Sequence, residues 1–274
     1  MMLLNSTTGF IGGGNMAEAI IKGLITGGMA PRNIIVADPM QDRRAHLAST
    51  LSVRTTDDNS EVAQEADLIV LSIKPQMAAS VLSALENTIT PQKLVLSIMA
   101  GISTTIIEES LQSGVRIIRA MPNTPALVQA GATAICGGRR ATEADLTLAK
   151  ELFALVGTVY QVGERQMDAV TGLSGSGPAY VFSFIEALSD AGVKNGLPRD
   201  VATGLAVQTV LGSAQLLQQS NEHPAVLRDR VSSPGGTTIA ALHTLENGRL
   251  HGLLMDAVDA AVKRSKELAG IKLL

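Results

Sequence analysis

Tryptophan is absent from this 274-residue chain, and only two tyrosines and four phenylalanines stand among its aliphatic residues. Aromatic platforms on which nucleic-acid bases stack are therefore scarce. Positive charge is not in excess either: 22 Lys and Arg against 25 Asp and Glu, with both signs spread out, leave a net charge of −3. No nucleic-acid partner is expected. Cysteine occurs once, at Cys136, which excludes an internal disulfide framework, and with four scattered histidines no metal site is expected. Cys136 lies in the apolar run 132–136 ahead of Gly137-Gly138 and reads as a buried thiol, because the sequence offers it no activating partner. No uncharged apolar run reaches membrane-spanning length, and residues 1–14 lack the basic head and apolar segment of a secretion signal. These absences set a reducing, cytoplasmic compartment and no membrane as the expectation.

What the chain has is alanine, glycine and aliphatic side chains, enough for one large domain or two modest ones. Gly9-Phe10-Ile11-Gly12-Gly13-Gly14-Asn15-Met16-Ala17 reads as a strand end, a tight turn and a helix start, with Gly27-Gly28 stopping the helix. Gly12-x-Gly14-x-x-Ala17 is a dinucleotide-binding fingerprint. Gly12 makes the turn, Gly14 lets a pyrophosphate approach, and Ala17 packs helix on strand. The lead-in Asn5-Ser6-Thr7-Thr8 is polar for a buried strand. A second strand, 33–38, ends in Asp38 at the spacing expected of an acid that binds a ribose 2′-hydroxyl and repels a 2′-phosphate. Arg43 and Arg44 follow, and could attract that phosphate or simply solvate the next helix.

Further apolar runs at 67–75, 94–101 and 116–121, with helical patterns at 61–66, 77–86 and 104–111, predict strands covered on both faces. The alternation indicates a doubly wound parallel α/β sheet. Ligands of such sheets sit beyond the C-terminal strand ends, where Lys74-Pro75, Ala100-Gly101 and Pro122-Asn123-Thr124-Pro125 fall. Asn123, between two prolines, either binds a ligand or shapes the turn. Two more strands are expected at 132–136 and 157–162 around a helix at 143–155. Beyond Gly163 strands cease, so an all-helical C-terminal region begins near Glu164. The helix at 180–191 is apolar nearly all round, which predicts burial. Another starts at Pro198, and Leu250, Leu253, Leu254, Ala257, Val258, Ala261 and Val262 share one face of the last helix. Helices this apolar predict burial against a second copy of the chain.

Ser232-Ser233-Pro234-Gly235-Gly236-Thr237-Thr238 runs straight into Ile239-Ala240-Ala241-Leu242, so hydroxyls and glycines gather where a helix begins. The free N–H groups of a helix start, curled inward by glycine, form a nest for a small carboxylate, with Ser233 or Thr237 adding a hydroxyl. The plainer reading is a Pro-Gly-Gly turn with Thr237 or Thr238 as N-cap. The Gly/Ser-rich stretch Asp168 through Tyr180 reads as another turn at a helix start, or as a hinge.

Together, Phe10 through Ala17, Lys74-Pro75, Met121 through Pro125, Asp168 through Tyr180, and His223-Pro224 with Val231 through Ile239 resemble pyrroline-5-carboxylate reductase, over nearly the whole chain. That resemblance implies a Rossmann domain, residues 1–163, followed by an all-helical substrate-binding and dimerisation domain, residues 164–274. It implies hydride transfer from NADPH or NADH to the C=N carbon of 1-pyrroline-5-carboxylate, giving L-proline, the last step of proline biosynthesis. It implies homodimers, up to a decamer of five, with each site between the sheet domain of one subunit and helices of its partner. Carried onto this sequence, Ser233, Gly235, Gly236 and Thr237 hold the substrate carboxylate. Thr238 hydrogen-bonds the ring nitrogen as the catalytic residue, and Glu164 and Asn123 lie nearby. The cofactor falls to Ile11, Gly12, Gly13, Gly14, Asn15, Met16, Asp38, Asn59, Ser72, Ile73, Lys74, Pro75, Ala100 and Gly101. Asp38 departs from the Ser or Asn of many relatives and leaves the choice between NADPH and NADH open. Ordinary surface or capping roles are expected of His223, His243 and His251. Two alternatives stand beside this reading. A 3-hydroxyacid dehydrogenase would need a lysine early in the helix after Gly175, yet none occurs before Lys194. A non-catalytic NAD(P)-binding sensor would bind cofactor without turnover.

Overall fold

The structure, a computed structural model, describes residues 6–270. In chain order the first part comprises β1 (Thr8–Ile11), α1 (Asn15–Thr26), β2 (Ile34–Ala37), α2 (Gln41–Leu51), β3 (Arg54–Thr56), α3 (Asn59–Glu65), β4 (Leu68–Leu71), α4 (Ala78–Leu85), β5 (Leu94–Ser97), α5 (Thr104–Ser110), β6 (Arg116–Met121), β7 (Gly131–Gly137), α6 (Glu143–Ala154) and β8 (Gly157–Gln161). The strands form one sheet of eight in the order β3, β2, β1, β4, β5, β6, β7, β8. Its strand order reverses between β1 and β4, and the loops after those strands share one edge.

Successive side chains of a strand point to opposite faces, so uninterrupted apolar strands feed two cores. Phe10, Val36, Val70, Leu96 and Ile118 pack against Ile20, Leu24, Leu47 and Phe153 of α1, α2 and α6. Their neighbours Ile11, Ile35, Ile69, Val95 and Ile117 pack against Val62, Leu82 and Ile107 of α3, α4 and α5. One element was not foreseen, and one was read only from its arginines. β3 is a polar edge strand, and α2 buries only Leu47, so neither carries a readable apolar period. Thr8 of the polar lead-in opens β1 fully buried, whereas Asn5 lies outside the described residues.

The parallel sheet has one exception, since β7 runs antiparallel to β6. Residues 122–130 between them hold only a 3-10 turn, Thr124–Val128, ending at Gln129 with φ +59°. A connection this short cannot carry the crossover that a parallel return requires.

The remaining elements are helical: α7 (Met167–Val170), α8 (Gly177–Lys194), α9 (Arg199–Ser220), α10 (Pro224–Arg230), α11 (Thr237–Asn247) and α12 (Leu250–Ala269). The described residues fall into two compact units, one up to Ser176 together with those from Ala260 onward, the other Gly177–Asp259. The Gly/Ser stretch is no open turn. Thr171–Gly175 is a π-helical segment directly after α7, with the Ser176 N–H on the Thr171 carbonyl at 2.9 Å.

In the second unit α8 and α9 pack closely: a Cβ on Gly192 would lie 2.9 Å from Ala202 Cβ, and Ser189 Oγ meets Thr203 Oγ1 at 2.7 Å. The expected burial of residues 180–191 is not met within one chain. Phe182 is 64% exposed, Val181, Phe184 and Leu188 are also exposed, and Ser189 is the buried residue of α8. An all-round apolar helix needs cover on every side, and a single copy supplies it on one. Leu253, Leu254 and Met255 of α12 are likewise exposed.

Candidate active site

The cofactor residues expected in the first unit surround the C-terminal ends of β1, β2, β4 and β5. Gly12 turns the chain at φ +96°, and a Cβ there would lie 2.7 Å from the Ser72 carbonyl, so only glycine fits. Its N–H reaches the Ala37 carbonyl at 2.8 Å, which ties the turn to the end of β2. Gly14 is the N-cap of α1, with no side-chain cap, and the space a Cβ would take is open. The first amides of α1, at Asn15 and Met16, thus face an approachable surface at the positive end of the helix dipole, which suits a pyrophosphate. Ser72 fastens the neighbouring loop: its hydroxyl donates to the Gly12 carbonyl at 2.6 Å and the Ile11 carbonyl at 3.1 Å. Ile73 sits beside Gly12, and Lys74 is exposed ahead of the turn at Pro75–Met77. Ala100 and Gly101 follow β5, with Gly101 at φ +74°. Asn59 opens α3 beyond the end of β3.

Asp38 takes the end of β2. Its Oδ2 accepts from the Gly13 N–H at 2.8 Å and its Oδ1 from the Met40 N–H at 2.9 Å. Glu18, in the first turn of α1, was not foreseen as a site residue. It pairs with Lys22 at 2.7 Å and Arg43 at 2.6 Å, with His46 at 3.4 Å. Burial raises the Glu18 carboxyl, but hydrogen bonds from Lys22, Arg43 and His46 outweigh it and hold the group down at about 2.

Behind the Ala100–Gly101 loop lies a second cluster that sequence reasoning missed in part. Arg119 of β6 is buried, and its Nη1 donates to Glu164 Oε1 at 2.5 Å. Glu164 Oε2 accepts from Thr104 Oγ1 at 2.8 Å and from Cys136 Sγ at 3.4 Å. Burial pushes the Glu164 carboxyl up, yet Arg119, Thr104 and Cys136 together hold it below the ordinary range. Burial first, then the Glu164 charge, pushes the Cys136 thiol up to about 12, so it is no nucleophile at neutral pH. Ala100 packs against Cys136, Met121, Ala134 and Met167, joining this cluster to the loop. The signal for Arg119 was a charge inside an apolar strand, which stays buried only with a partner.

Asn123 is buried, with Nδ2 donating to the Ser174 carbonyl at 3.0 Å and Oδ1 accepting from the Ala132 N–H at 2.8 Å. Its amide braces the turn before β7 and the π-helical segment at once.

In the second unit Ser233–Gly236 is a tight turn: the Gly236 N–H reaches the Ser233 carbonyl at 3.0 Å, and Gly235 has φ +67°. This geometry at the third turn position needs glycine. The N-cap of α11 is Gly236, neither Thr237 nor Thr238 as the plainer reading expected, and no side chain caps the helix. A Cβ on Gly236 would fall 2.2 Å from Ser233 Oγ, so that hydroxyl lies directly over the helix start. Ser232 turns away and donates to the Arg228 carbonyl at 2.7 Å. Thr237 is exposed and Thr238 half-buried, in the first two positions of the helix. The result is a hydroxyl-flanked helix start whose first amides have no internal partner, fitted to a small anion.

Two families match parts of the chain. Residues 164–268 match the family described as pyrroline-5-carboxylate reductase dimerisation, and residues 7–101 the family described as NADP oxidoreductase coenzyme F420-dependent. The chain is 49% identical over 261 residues to the pyrroline-5-carboxylate reductase of Synechocystis, covering 95% of this chain and 97% of that one. A solved pyrroline-5-carboxylate reductase from Coxiella burnetii superposes with a TM-score of 0.90 at 41% identity, covering 96% of this chain and 98% of the other. The Plasmodium falciparum pyrroline carboxylate reductase with NADP bound gives 0.89 at 34% identity, covering 97% and 99%.

Proposed function

The chain belongs to the pyrroline-5-carboxylate reductase family, and we propose that it reduces 1-pyrroline-5-carboxylate to L-proline with NADPH or NADH. The observation that carries the reading is the uncapped start of α11 under Ser233, a helix start open to a small anion. A substrate with one carboxylate and one imine needs no more. A reduced nicotinamide held by the residues at the β1–β4 switch point would supply a hydride for the C=N carbon, the C=N electron pair passing to nitrogen. This step is easiest on the protonated iminium, whose proton arrives with the substrate and stays on the product amine.

Ser233, Gly235, Gly236 and Thr237 hold the carboxylate, and the helix dipole adds about 1 kcal/mol to that grip. Thr238 hydrogen-bonds the ring nitrogen and positions it. Glu164, kept ionised by Arg119 and Thr104, complements a cationic iminium. Asn123 acts by bracing the backbone around Ser174. The residues named for the cofactor, Gly12 to Met16, Asp38, Asn59, Ser72 to Pro75, Ala100 and Gly101, fit a dinucleotide across the β1–β4 switch point.

The proposed division of labour puts the cofactor on residues 1–163, and substrate binding and subunit pairing on 164–274. Homodimers form through the exposed apolar helices, and five of them make the assembled particle. A cytoplasmic location goes with a lone, buried thiol, and among the described residues no helix is long and apolar enough to cross a membrane. Nothing favours the hydroxyacid dehydrogenase, whose lysine would have to be Lys194, the last residue of α8.

Following nucleotide oxidation with 1-pyrroline-5-carboxylate, and with a panel of hydroxyacids in the reverse direction, tests the reading. Turnover of the imino acid alone is expected; hydroxyacid turnover, or none at all, contradicts it. Thr238→Ala is expected to lose about 10- to 1,000-fold in kcat/KM. Unchanged kinetics would remove Thr238 from the site.

A further inference from the structure

We propose that the nucleotide site is built for NADH in preference to NADPH, with Asp38 as the discriminating residue and Glu18 as the positioning residue that keeps Arg43 from a 2′-phosphate. The inference rests on the reading of the β1–β4 crevice as a dinucleotide site.

Asp38 cannot swing aside. The Gly13 N–H at 2.8 Å and the Met40 N–H at 2.9 Å each hold one carboxylate oxygen. An ionised carboxylate has about four acceptor positions, so two remain for ribose hydroxyls. A 2′-phosphate brought to the same place would meet the like charge of a carboxylate held in position. Asp57 and Asp58, exposed just beyond β3, add to the negative potential at that edge.

NADPH binding would need a cation aimed at the 2′-phosphate, and both candidates are turned elsewhere. Arg43 donates through Nε to the Gly13 carbonyl and through Nη2 to Glu18 at 2.6 Å. Glu18 is nearly buried and also holds Lys22 at 2.7 Å, which anchors the Arg43 guanidinium against the glycine turn. Arg44 donates through Nη1 to the backbone carbonyls of Asp38 at 2.7 Å and Pro39 at 3.0 Å, and its Nη2 lies 3.7 Å from Asp57. The two arginines shape the loop that presents Asp38 instead of competing with it.

Isothermal titration of the full-length protein with NAD+ and with NADP+, in the absence of imino acid, tests the proposal by binding alone. The wild type is expected to bind NAD+ at least about tenfold more tightly. Asp38→Asn, which keeps the shape and removes the charge, is expected to erase that preference, chiefly by tightening NADP+. Adding Glu18→Gln is expected to tighten NADP+ a further few-fold with NAD+ unchanged, whereas mere structural damage would weaken both. Equal or tighter NADP+ binding by the wild type, or an Asp38→Asn variant with an unmoved ratio, overturns the proposal. Selective NAD+ binding by a protein that reduces no imino acid would support it while refuting the reductase reading, so the two fail separately.

Discussion

The two units of this chain treat their apolar residues in opposite ways. In the sheet unit those that pack on the two faces are shut away: Phe10 and Phe153 in one core and Leu82 and Ile107 in the other are all fully buried. The exposed ones, such as Val128, Tyr160 and Leu173, lie off those faces. In the helical unit Phe182, Leu205, Leu211 and Leu253 stand open to solvent. Exposed apolar area on this scale is rare on a chain that works alone and marks a surface made to be covered. The sheet unit therefore carries its core within itself, whereas on the proposed reading the helical unit completes its core by pairing. On the proposed reading function divides along the same line, with the nucleotide in the first unit and the substrate carboxylate on helices of the second.

The sharpest way to break this contrast is to put a charge on the open face. Phe182→Glu is expected to halve the particle mass or reduce it further in light scattering and to lower turnover by about 100-fold or more. A wild-type protein already monomeric at micromolar concentration would refute the pairing. Phe153→Ala, on the closed side, is expected to cost about 3–5 kcal/mol in chemical denaturation, with a midpoint independent of protein concentration. A concentration-dependent loss there would blur the distinction.

The smallest effect concerns Glu18. Its folded carboxyl is held down at about 2 against an ordinary 4.5. A depressed acid contributes stability that is fully present above its unfolded value and lost as pH falls towards the folded one. Glu18→Gln is thus expected to destabilise by about 1–2 kcal/mol at pH 7, with the difference shrinking below pH 4.5 and gone near pH 2. A pH-independent difference in denaturation midpoints would contradict it.

How much of this was legible in the sequence follows from the same contrast. Strands β1, β2, β4, β5 and β6 could be read because both of their faces are buried, which leaves continuous apolar runs. β3 could not, since an edge strand made of Arg54, Thr55 and Thr56 buries little. The direction of β7 is not written in its composition, only in the shortness of residues 122–130. The all-round apolar pattern of α8 was read as burial, but periodicity does not say which chain supplies the cover. Asp38 was legible from its distance beyond the glycine turn. The destinations of Arg43 and Arg119 were not, because their carboxylate partners Glu18 and Glu164 lie 25 and 45 residues away. The nest before α11 was legible as a cluster of hydroxyls and glycines. That Gly236 caps it, with neither threonine as the N-cap, emerges only from the turn at Ser233.

The central claim is that the bare start of α11 grips the carboxylate of a small imino acid. A crystal structure of the protein with proline and oxidised cofactor addresses it directly. The account predicts the proline carboxylate on the amides at Gly236 to Thr238 and the Ser233 hydroxyl, with the ring nitrogen towards Thr238. Proline bound away from Gly235–Thr238 would contradict it, whatever the nucleotide crevice contains.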